Sequence, residues 1–246
     1  MVDDTIPRRR FLLGAGLAGT AIAAGLAPEF PSPVHAEAIT TSTTVSPPAN
    51  STSAAPEALL ILTATEAAFV AAAVDTFIPS DELSPAGSDC GIVTFIDRQL
   101  ASDWGGGAKM YRNGPFRKGK PEQGYQLALT PREFLQIGIA EANAWSHRAY
   151  GKAFDGLSQP DRVAALKAME EGKAVFATLG ARMFFNALLN ITMEGFFADP
   201  AYGGNRNYAS WKMLGFPGLP ATYADKFEEY RNKRYIAPPR SMTDFS

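Results

Sequence analysis

Helix start signals recur along this 246-residue chain, and they constrain its fold more than any other feature. Thr63 precedes Glu66 by three residues, and Thr130 is followed by Pro131 and then Glu133. A hydroxyl residue with glutamate three positions later is the capping-box pattern, which satisfies free N–H groups in a first helical turn. No segment alternates apolar and polar residues in the manner of a half-buried strand. The sequence therefore predicts an all-α fold, with one helical domain over residues 59–246.

Apolar residues that recur every three or four positions predict about six helices. Their predicted starts are Thr63, Asp89, Thr130, Ser158, Ala174 and Ala221. The third helix is expected to bury Phe134, Ile137, Ala140, Ala144 and Trp145. The fifth, over residues 174–192, is apolar on nearly every side and is predicted to be the buried central helix. The sixth, over residues 221–234, is amphipathic and more charged.

The N-terminus has the pattern of a twin-arginine export signal. Arg8 and Arg9 precede Phe11 and Leu12, a weakly apolar stretch follows, and small residues lead up to Ala36. We predict cleavage after Ala36. The letters GAGLAG in this stretch match a dinucleotide-binding pattern, but arginines rather than a strand precede them. A retained membrane anchor is the alternative, although the glycines make the apolar stretch weak for a bilayer span.

Composition narrows the possible functions. Residues 37–58 are rich in Ser, Thr, Pro and Ala and are predicted to form a flexible leader between the signal and the domain. The net charge of −2 disfavours nucleic acid as a partner. One Cys and two His exclude a disulfide framework, a Cys/His zinc site and covalent haem attachment. No G-x-S-x-G or H-E-x-x-H motif is present, so we predict no catalytic, cofactor-binding or metal-binding residues in this chain.

Two single residues have reactive side chains. His147 lies on a predicted helix without a second ligand at i+4, which favours a surface or hydrogen-bonded histidine over a general base or an axial ligand. Cys90 is at a predicted helix start in an exported chain. It has two interpretations, a buried free thiol or an intersubunit disulfide, and the first is favoured.

Two long segments between the predicted helices exceed the length that a helical bundle needs for its connections. The basic loop, residues 105–129, carries five cations before its first acid, namely Lys109, Arg112, Arg117, Lys118 and Lys120. This run favours either docking to an acidic partner surface or a solvated loop.

The aromatic loop, residues 195–220, is dense in Gly, Pro and aromatic residues. Such a composition gives large, rigid contacts at low entropic cost, which suits a protein interface. The predicted interface residues are Phe196, Phe197, Asp199, Tyr202, Trp211 and Phe216. The alternative is a loop folded over its own core, and the two interpretations are compatible.

Several of these segments resemble the gluconate 2-dehydrogenase subunit 3 family, over most of residues 59–235. They are Phe77-Ile78-Pro79, Gly114-Pro115-Phe116, the run from Pro121 to Gln126, and the stretch from Glu194-Gly195-Phe196-Phe197 to Gly218. Ser210 departs from the pattern, since we expect glycine before Trp211.

The resemblance implies the small, non-catalytic subunit of a heterotrimeric membrane-bound dehydrogenase. A large FAD-binding subunit of the glucose-methanol-choline oxidoreductase type would oxidise D-gluconate to 2-dehydro-D-gluconate, and a multihaem cytochrome c subunit would pass electrons to ubiquinone. On this expectation the FAD and haem c belong to the partner subunits and the membrane is reached only through the cytochrome. The small subunit would carry the signal to the twin-arginine translocon, escort the flavoprotein, and remain at the periplasmic face of the bacterial inner membrane. Other sugars or sugar acids remain open as substrates.

A stand-alone periplasmic enzyme and a periplasmic binding or structural module unrelated to redox are the competing hypotheses.

Overall fold

The computed structural model describes residues 58–117, 119–120, 123–219, 223–224 and 226–245. The predicted signal residues Arg8, Arg9, Phe11 and Leu12, the cleavage site at Ala36, and Lys118 lie outside the described residues. The described chain contains six α-helices, α1 (Ala64–Phe77), α2 (Ile92–Ala101), α3 (Pro131–Tyr150), α4 (Gln159–Glu170), α5 (Ala181–Phe197) and α6 (Ala209–Leu214). Within it there is no strand, only one isolated bridge between Gly218 and Arg240. The prediction of an all-α fold is confirmed.

The helix starts that depend on local capping agree with the sequence predictions. Thr63 and Thr130 both form complete capping boxes, in which the threonine side chain accepts from the N3 backbone N–H and the N3 glutamate accepts from the cap N–H. Ser158 caps α4 by accepting from the N–H of Asp161. α3 ends at Gly151, whose φ of 75° is the left-handed conformation that glycine adopts at little cost.

The start of α2 differs from its prediction. Gly91, with φ 80°, is the N-cap residue, and Asp89 lies outside the helix. Gly91 packs against the aromatic loop so closely that a Cβ atom there would lie 2.3 Å from the carbonyl oxygen of Gly203. The helix start is therefore determined by a distant loop rather than by a local side-chain cap.

The predicted bounds of the fifth helix are also wrong. α5 begins at Ala181 rather than Ala174, and it continues beyond Thr192 to Phe197. The carboxylate of Glu141 on α3 accepts hydrogen bonds from the backbone N–H groups of Thr178 and Leu179, which holds the approach to α5 in a non-helical conformation. Its predicted central position holds, because α5 packs against each of the other five helices described.

α3 buries Phe134 as predicted, but the rest of its core-facing side differs from the prediction. Gly138 lies in that face and is buried, whereas Ala140 and Ala144 are exposed and Ile137 and Trp145 are half-buried. Gly138 allows the ring of Phe184 on α5 to approach so closely that a Cβ atom would lie 2.0 Å from its Cδ2. The buried face therefore includes the glycine on which the Phe184 ring packs, rather than the larger apolar side chains of Ile137 and Trp145.

The helix predicted over residues 221–234 is absent from the described residues of that range, which form turns. None of the described residues between 223 and 235 is buried. A short amphipathic segment needs tertiary packing to remain helical, and this one receives little. The sixth helix lies earlier, at Ala209–Leu214, inside the aromatic loop.

Phenylalanines from several helices form the centre of the core. The ring of Phe69 lies 4.9 Å from that of Phe154 and 6.1 Å from that of Phe184, while Phe77 and Phe185 meet edge to face at 5.7 Å. Such ring pairs add to the gain from burying apolar area. None of the helices described has the length and apolar composition that crossing a membrane requires.

Candidate functional site: the aromatic loop

Glycines seat the aromatic loop on the helices beneath it. A Cβ atom on Gly204 would lie 2.2 Å from the carbonyl oxygen of Gly195, in the last part of α5. Gly195 in turn faces the ring of Phe95 on α2, at 2.7 Å from the position of a Cβ atom. Contacts of this kind bring backbone against backbone and backbone against ring, so the loop has little freedom to shift.

Asn205 joins the two sides of the loop from the inside. Its side chain is fully buried. The amide nitrogen donates to the carbonyl oxygen of Ala198 at 2.9 Å, and the amide oxygen accepts from both the N–H and the hydroxyl of Ser210 at 2.9 Å each. Ser210, where the resemblance predicts glycine, therefore uses its hydroxyl to complete this buried network.

The turn that follows has left-handed backbone at residues other than glycine. Asn207 has φ 56° and Tyr208 has φ 57°. This conformation is uncommon for a bulky residue such as tyrosine and costs on the order of 1–3 kcal/mol, so it needs support from the surroundings. The Tyr208 ring packs 5.9 Å from Trp211, and its hydroxyl donates to the carboxylate of Asp244 at 2.7 Å.

The C-terminal tail, residues 236–245, fastens the loop from outside. The carboxylate of Asp199 accepts from the backbone N–H of Ala201 at 2.9 Å and of Met242 at 3.1 Å, and from the hydroxyl of Ser241. The backbone of Arg240 donates to Pro217 and accepts from the N–H of Leu219. Loop and tail thus form one hydrogen-bonded layer.

Electrostatics couple the tail to pH. The hydroxyl of Tyr208 and the backbone N–H of Ser241 hold the pKa of Asp244 below its ordinary value, because both donate to the ionised form. The same hydrogen bond raises the pKa of Tyr208.

We expect the tail to loosen in acid. A carboxyl group with a lowered pKa in the folded protein stabilises it fully above the ordinary value of about 3.8, and this stabilisation is lost as pH falls through the lower folded-state pKa. Limited proteolysis should therefore cut residues 236–245 faster at a pH well below 3.8 than at about pH 6. Asp244→Asn should be cut at the faster rate at both pH values. A tail equally resistant at both pH values in the unmodified protein would contradict this prediction.

A family model described as gluconate 2-dehydrogenase subunit 3 matches residues 64–218, more than half of the chain. The chain belongs to the gluconate 2-dehydrogenase subunit 3 family. No curated protein and no solved structure matches it significantly. The match runs from the first residue of α1 to Gly218, so it includes the aromatic loop but ends before the tail that fastens it.

In this member of the family, the predicted interface residues divide into two groups. Phe197, Tyr202 and Phe216 are 42%, 50% and 46% exposed. Phe196 and Trp211 are buried and support the surface from beneath, with the indole N–H of Trp211 donating to the carbonyl oxygen of Phe197 at 3.1 Å. For these two residues the alternative of a loop folded over its own core is the one observed.

Asp199 also faces inward, since its carboxylate is occupied by the loop and the tail. The tail adds two exposed apolar residues that the sequence analysis did not include, Met242 and Phe245. The guanidinium group of Arg240 lies over the Phe245 ring at 3.9 Å. No motif or spacing in residues 195–220 indicated that this loop would bind the C-terminal tail.

The side chains of the other two candidate residues, Cys90 and His147, do not belong to this exposed aromatic surface. Cys90 is 1% exposed, its Sγ lies 3.6 Å from the carbonyl oxygen of Pro85, and its own carbonyl oxygen accepts from the backbone N–H of Arg206. His147 is exposed in the last turn of α3. Among the described residues, no three His, Cys, Asp or Glu side chains are grouped so that they could hold a metal ion.

An open cavity of about 520 Å³ borders the aromatic loop. Its lining mixes the acids Glu82 and Asp89 with the cations Arg206 and Lys212. Because both signs of charge are present in equal number, the cavity has no evident preference for an anionic or a cationic ligand.

Proposed function

We propose that this chain is the small, non-catalytic subunit of a membrane-bound, FAD-dependent dehydrogenase of the gluconate 2-dehydrogenase type. Its aromatic loop binds the folded flavoprotein subunit, which it stabilises and escorts through the twin-arginine translocon. FAD and haem c reside in the flavoprotein and cytochrome c subunits. The complex oxidises D-gluconate to 2-dehydro-D-gluconate at the periplasmic face of the inner membrane and reduces ubiquinone.

The observation that supports this role most directly is an exposed aromatic surface on a fixed backbone. Phe197, Tyr202 and Phe216 face solvent, while Asn205 and Asp199 hold the loop beneath them. A surface that is already ordered loses little conformational entropy when a partner binds. Exposed aromatic side chains of this kind are typical binding hot spots.

The export signal supports the escort role. The pattern of Arg8, Arg9, Phe11 and Leu12 is that of a route that carries folded proteins. A flavoprotein that binds FAD in the cytoplasm needs such a route, and one signal on a bound subunit is enough for both chains.

Purification from the native host tests the proposal. The chain, tagged at its C-terminus through a linker, is extracted gently from membranes and purified, and an absorption spectrum is recorded beside a denaturing gel. The proposal expects flavin and haem c absorption and two larger co-purifying bands. A colourless chain without partners would contradict it and favour a binding or structural module. Turnover of a sugar acid by that solitary chain would instead favour a stand-alone enzyme.

The exposed rings should contribute much of the binding to the flavoprotein. We expect Phe197→Ser combined with Phe216→Ser to weaken the association about 30-fold, because each ring presents apolar area to the partner while its other side packs on buried Phe196 or Trp211. The matched control is Val175→Ser with Phe227→Ser, which removes two exposed apolar side chains elsewhere.

The association is measured as flavoprotein retained per tagged chain, with helicity verified by circular dichroism. Equal retention by the two double variants would exclude the aromatic loop as the interface and leave the accessory role itself intact.

A further inference from the structure

The basic loop concentrates positive charge on a chain that is slightly acidic overall. Lys109, Arg112, Arg117 and Lys120 are all exposed, and none of them makes an ion pair in the described part of the chain. The described residues from 104 to 120 include no carboxylate. Against a net charge of −2 for the whole chain, this loop is a local site of attraction for anions.

Two exposed aromatic residues lie among these cations, and a third, Trp104, lies directly before the loop and after the exposed Asp103. Tyr111 is 72% exposed, Trp104 44% and Phe116 38%. The hydroxyl of Tyr111 donates to the carbonyl oxygen of Gly114 at 3.0 Å, which closes a short turn that contains Arg112. The loop therefore presents rings and cations together over a short stretch of chain.

The loop is anchored at both ends, and beyond Gly107 it buries little between them. At one end the backbone N–H of Arg132 donates to Gly105 and its side chain donates to Leu100. At the other the ring of Tyr125 stacks on that of Phe134 at 4.2 Å. No described residue from 108 to 126 is buried. This stretch adds little to the core, so its composition reflects what it meets outside.

The chemistry of the loop distinguishes a lipid surface from a protein surface. The cores of protein interfaces are depleted in lysine although arginine and aromatic residues are enriched there, and two of the four described cations of this loop are lysines. Clusters of four or more Lys and Arg residues bind anionic lipid surfaces, where Trp and Tyr are enriched at the boundary between headgroups and water. We propose that the basic loop binds the anionic phospholipid headgroups of a membrane surface, with Trp104, Tyr111 and Phe116 at that boundary.

This inference goes beyond the proposed function, and it gives this chain a membrane contact of its own, whereas the sequence analysis expects one only through the cytochrome.

The full chain is mixed with phosphatidylcholine vesicles that contain or lack phosphatidylglycerol, with brominated or ordinary acyl chains. Tryptophan fluorescence is the readout, because bromine quenches only rings near the bilayer. Trp104→Phe serves as the reference that isolates the signal of Trp104 from the other tryptophans.

The proposal expects bromine quenching that requires phosphatidylglycerol and disappears in Trp104→Phe. Binding through the export signal alone would not place Trp104 at the bilayer. Changing Lys109, Arg112 and Arg117 to Glu should weaken binding of the chain to the vesicles, as measured by bromine quenching, about a hundredfold or more. In the matched variant, three exposed lysines outside the loop are changed to Glu, namely Lys152, Lys167 and Lys233. This variant should lose much less of its binding to the vesicles.

Three results would overturn the proposal. One is quenching that persists in Trp104→Phe, and another is equal loss of partition in the two charge-reversed variants. The third is no quenching of the unmodified chain, combined with loss of flavoprotein binding only when the loop cations are reversed, which would assign the loop to an acidic protein surface.

Discussion

Replacing Gly204 with alanine will displace the aromatic loop from α5 and destabilise the protein by about 3 kcal/mol or more. A methyl group at this position would lie 2.2 Å from the carbonyl oxygen of Gly195 and 3.0 Å from its carbonyl carbon. Both are backbone atoms near the end of a central helix, so neither can turn aside as a side chain would. The loop must move instead, and the hydrogen bonds of Asn205 to Ala198 and Ser210 move with it.

Gly106→Ala is the matched control. Gly106 is exposed, its φ is not positive, and the nearest atom to a new Cβ would be 3.5 Å away. Relative to the unmodified protein, the urea concentration at the unfolding midpoint should be lower for Gly204→Ala and almost unchanged for Gly106→Ala. Trp211, a buried residue of the loop itself, should shift its fluorescence to longer wavelength only in the first variant. Equal stability of the two variants would mean that the loop is not seated by this glycine.

The helix starts show why part of the fold was predictable from the sequence. Thr63 and Thr130 cap helices through residues three positions away, so the signal for these two helix starts is local and can be recognised in the sequence. The start of α2 depends instead on Gly91 meeting Gly203, and that of α5 on Glu141 capturing Thr178 and Leu179. Contacts between residues far apart in the chain leave no periodic signal, and these two starts were wrongly placed.

The candidate site shows the same division. Composition alone identified the aromatic loop, since Gly, Pro and aromatic residues cluster there. Composition did not show which rings face solvent. Phe196 and Phe197 are neighbours in the chain, yet Phe196 is buried and Phe197 is 42% exposed. The tail residues that complete the layer, such as Ser241 and Asp244, bind through hydroxyl and carboxylate groups that are common at any chain end.

Asp97→Ala should destabilise the protein by about 3 kcal/mol, because one carboxylate accepts three consecutive backbone hydrogen bonds. Asp97 on α2 is 2% exposed, and it accepts from the N–H groups of Leu60 at 2.6 Å, Ile61 at 3.0 Å and Leu62 at 2.9 Å. Leu62 is buried, so its N–H would be left without water, which costs about 1–3 kcal/mol. Leu60 is exposed and Ile61 partly so, hence water can replace the carboxylate there and each adds less.

Asp97→Asn should destabilise the protein less than Asp97→Ala does, because the amide retains one acceptor oxygen. It should still be less stable than the unmodified protein, because the amide directs its NH2 group at a backbone N–H donor. Asp103→Ala is the control, an exposed aspartate without a side-chain hydrogen bond in the described chain. Residues 60–62 directly follow the predicted leader, so this carboxylate fixes the point where the folded domain begins. In Asp97→Ala a protease should therefore trim past Leu62 towards α1, while the unmodified chain and Asp103→Ala stop before Leu60. Trimming that stops at the same residue in all three chains would show that the core of the domain, rather than Asp97, holds residues 60–62 in place.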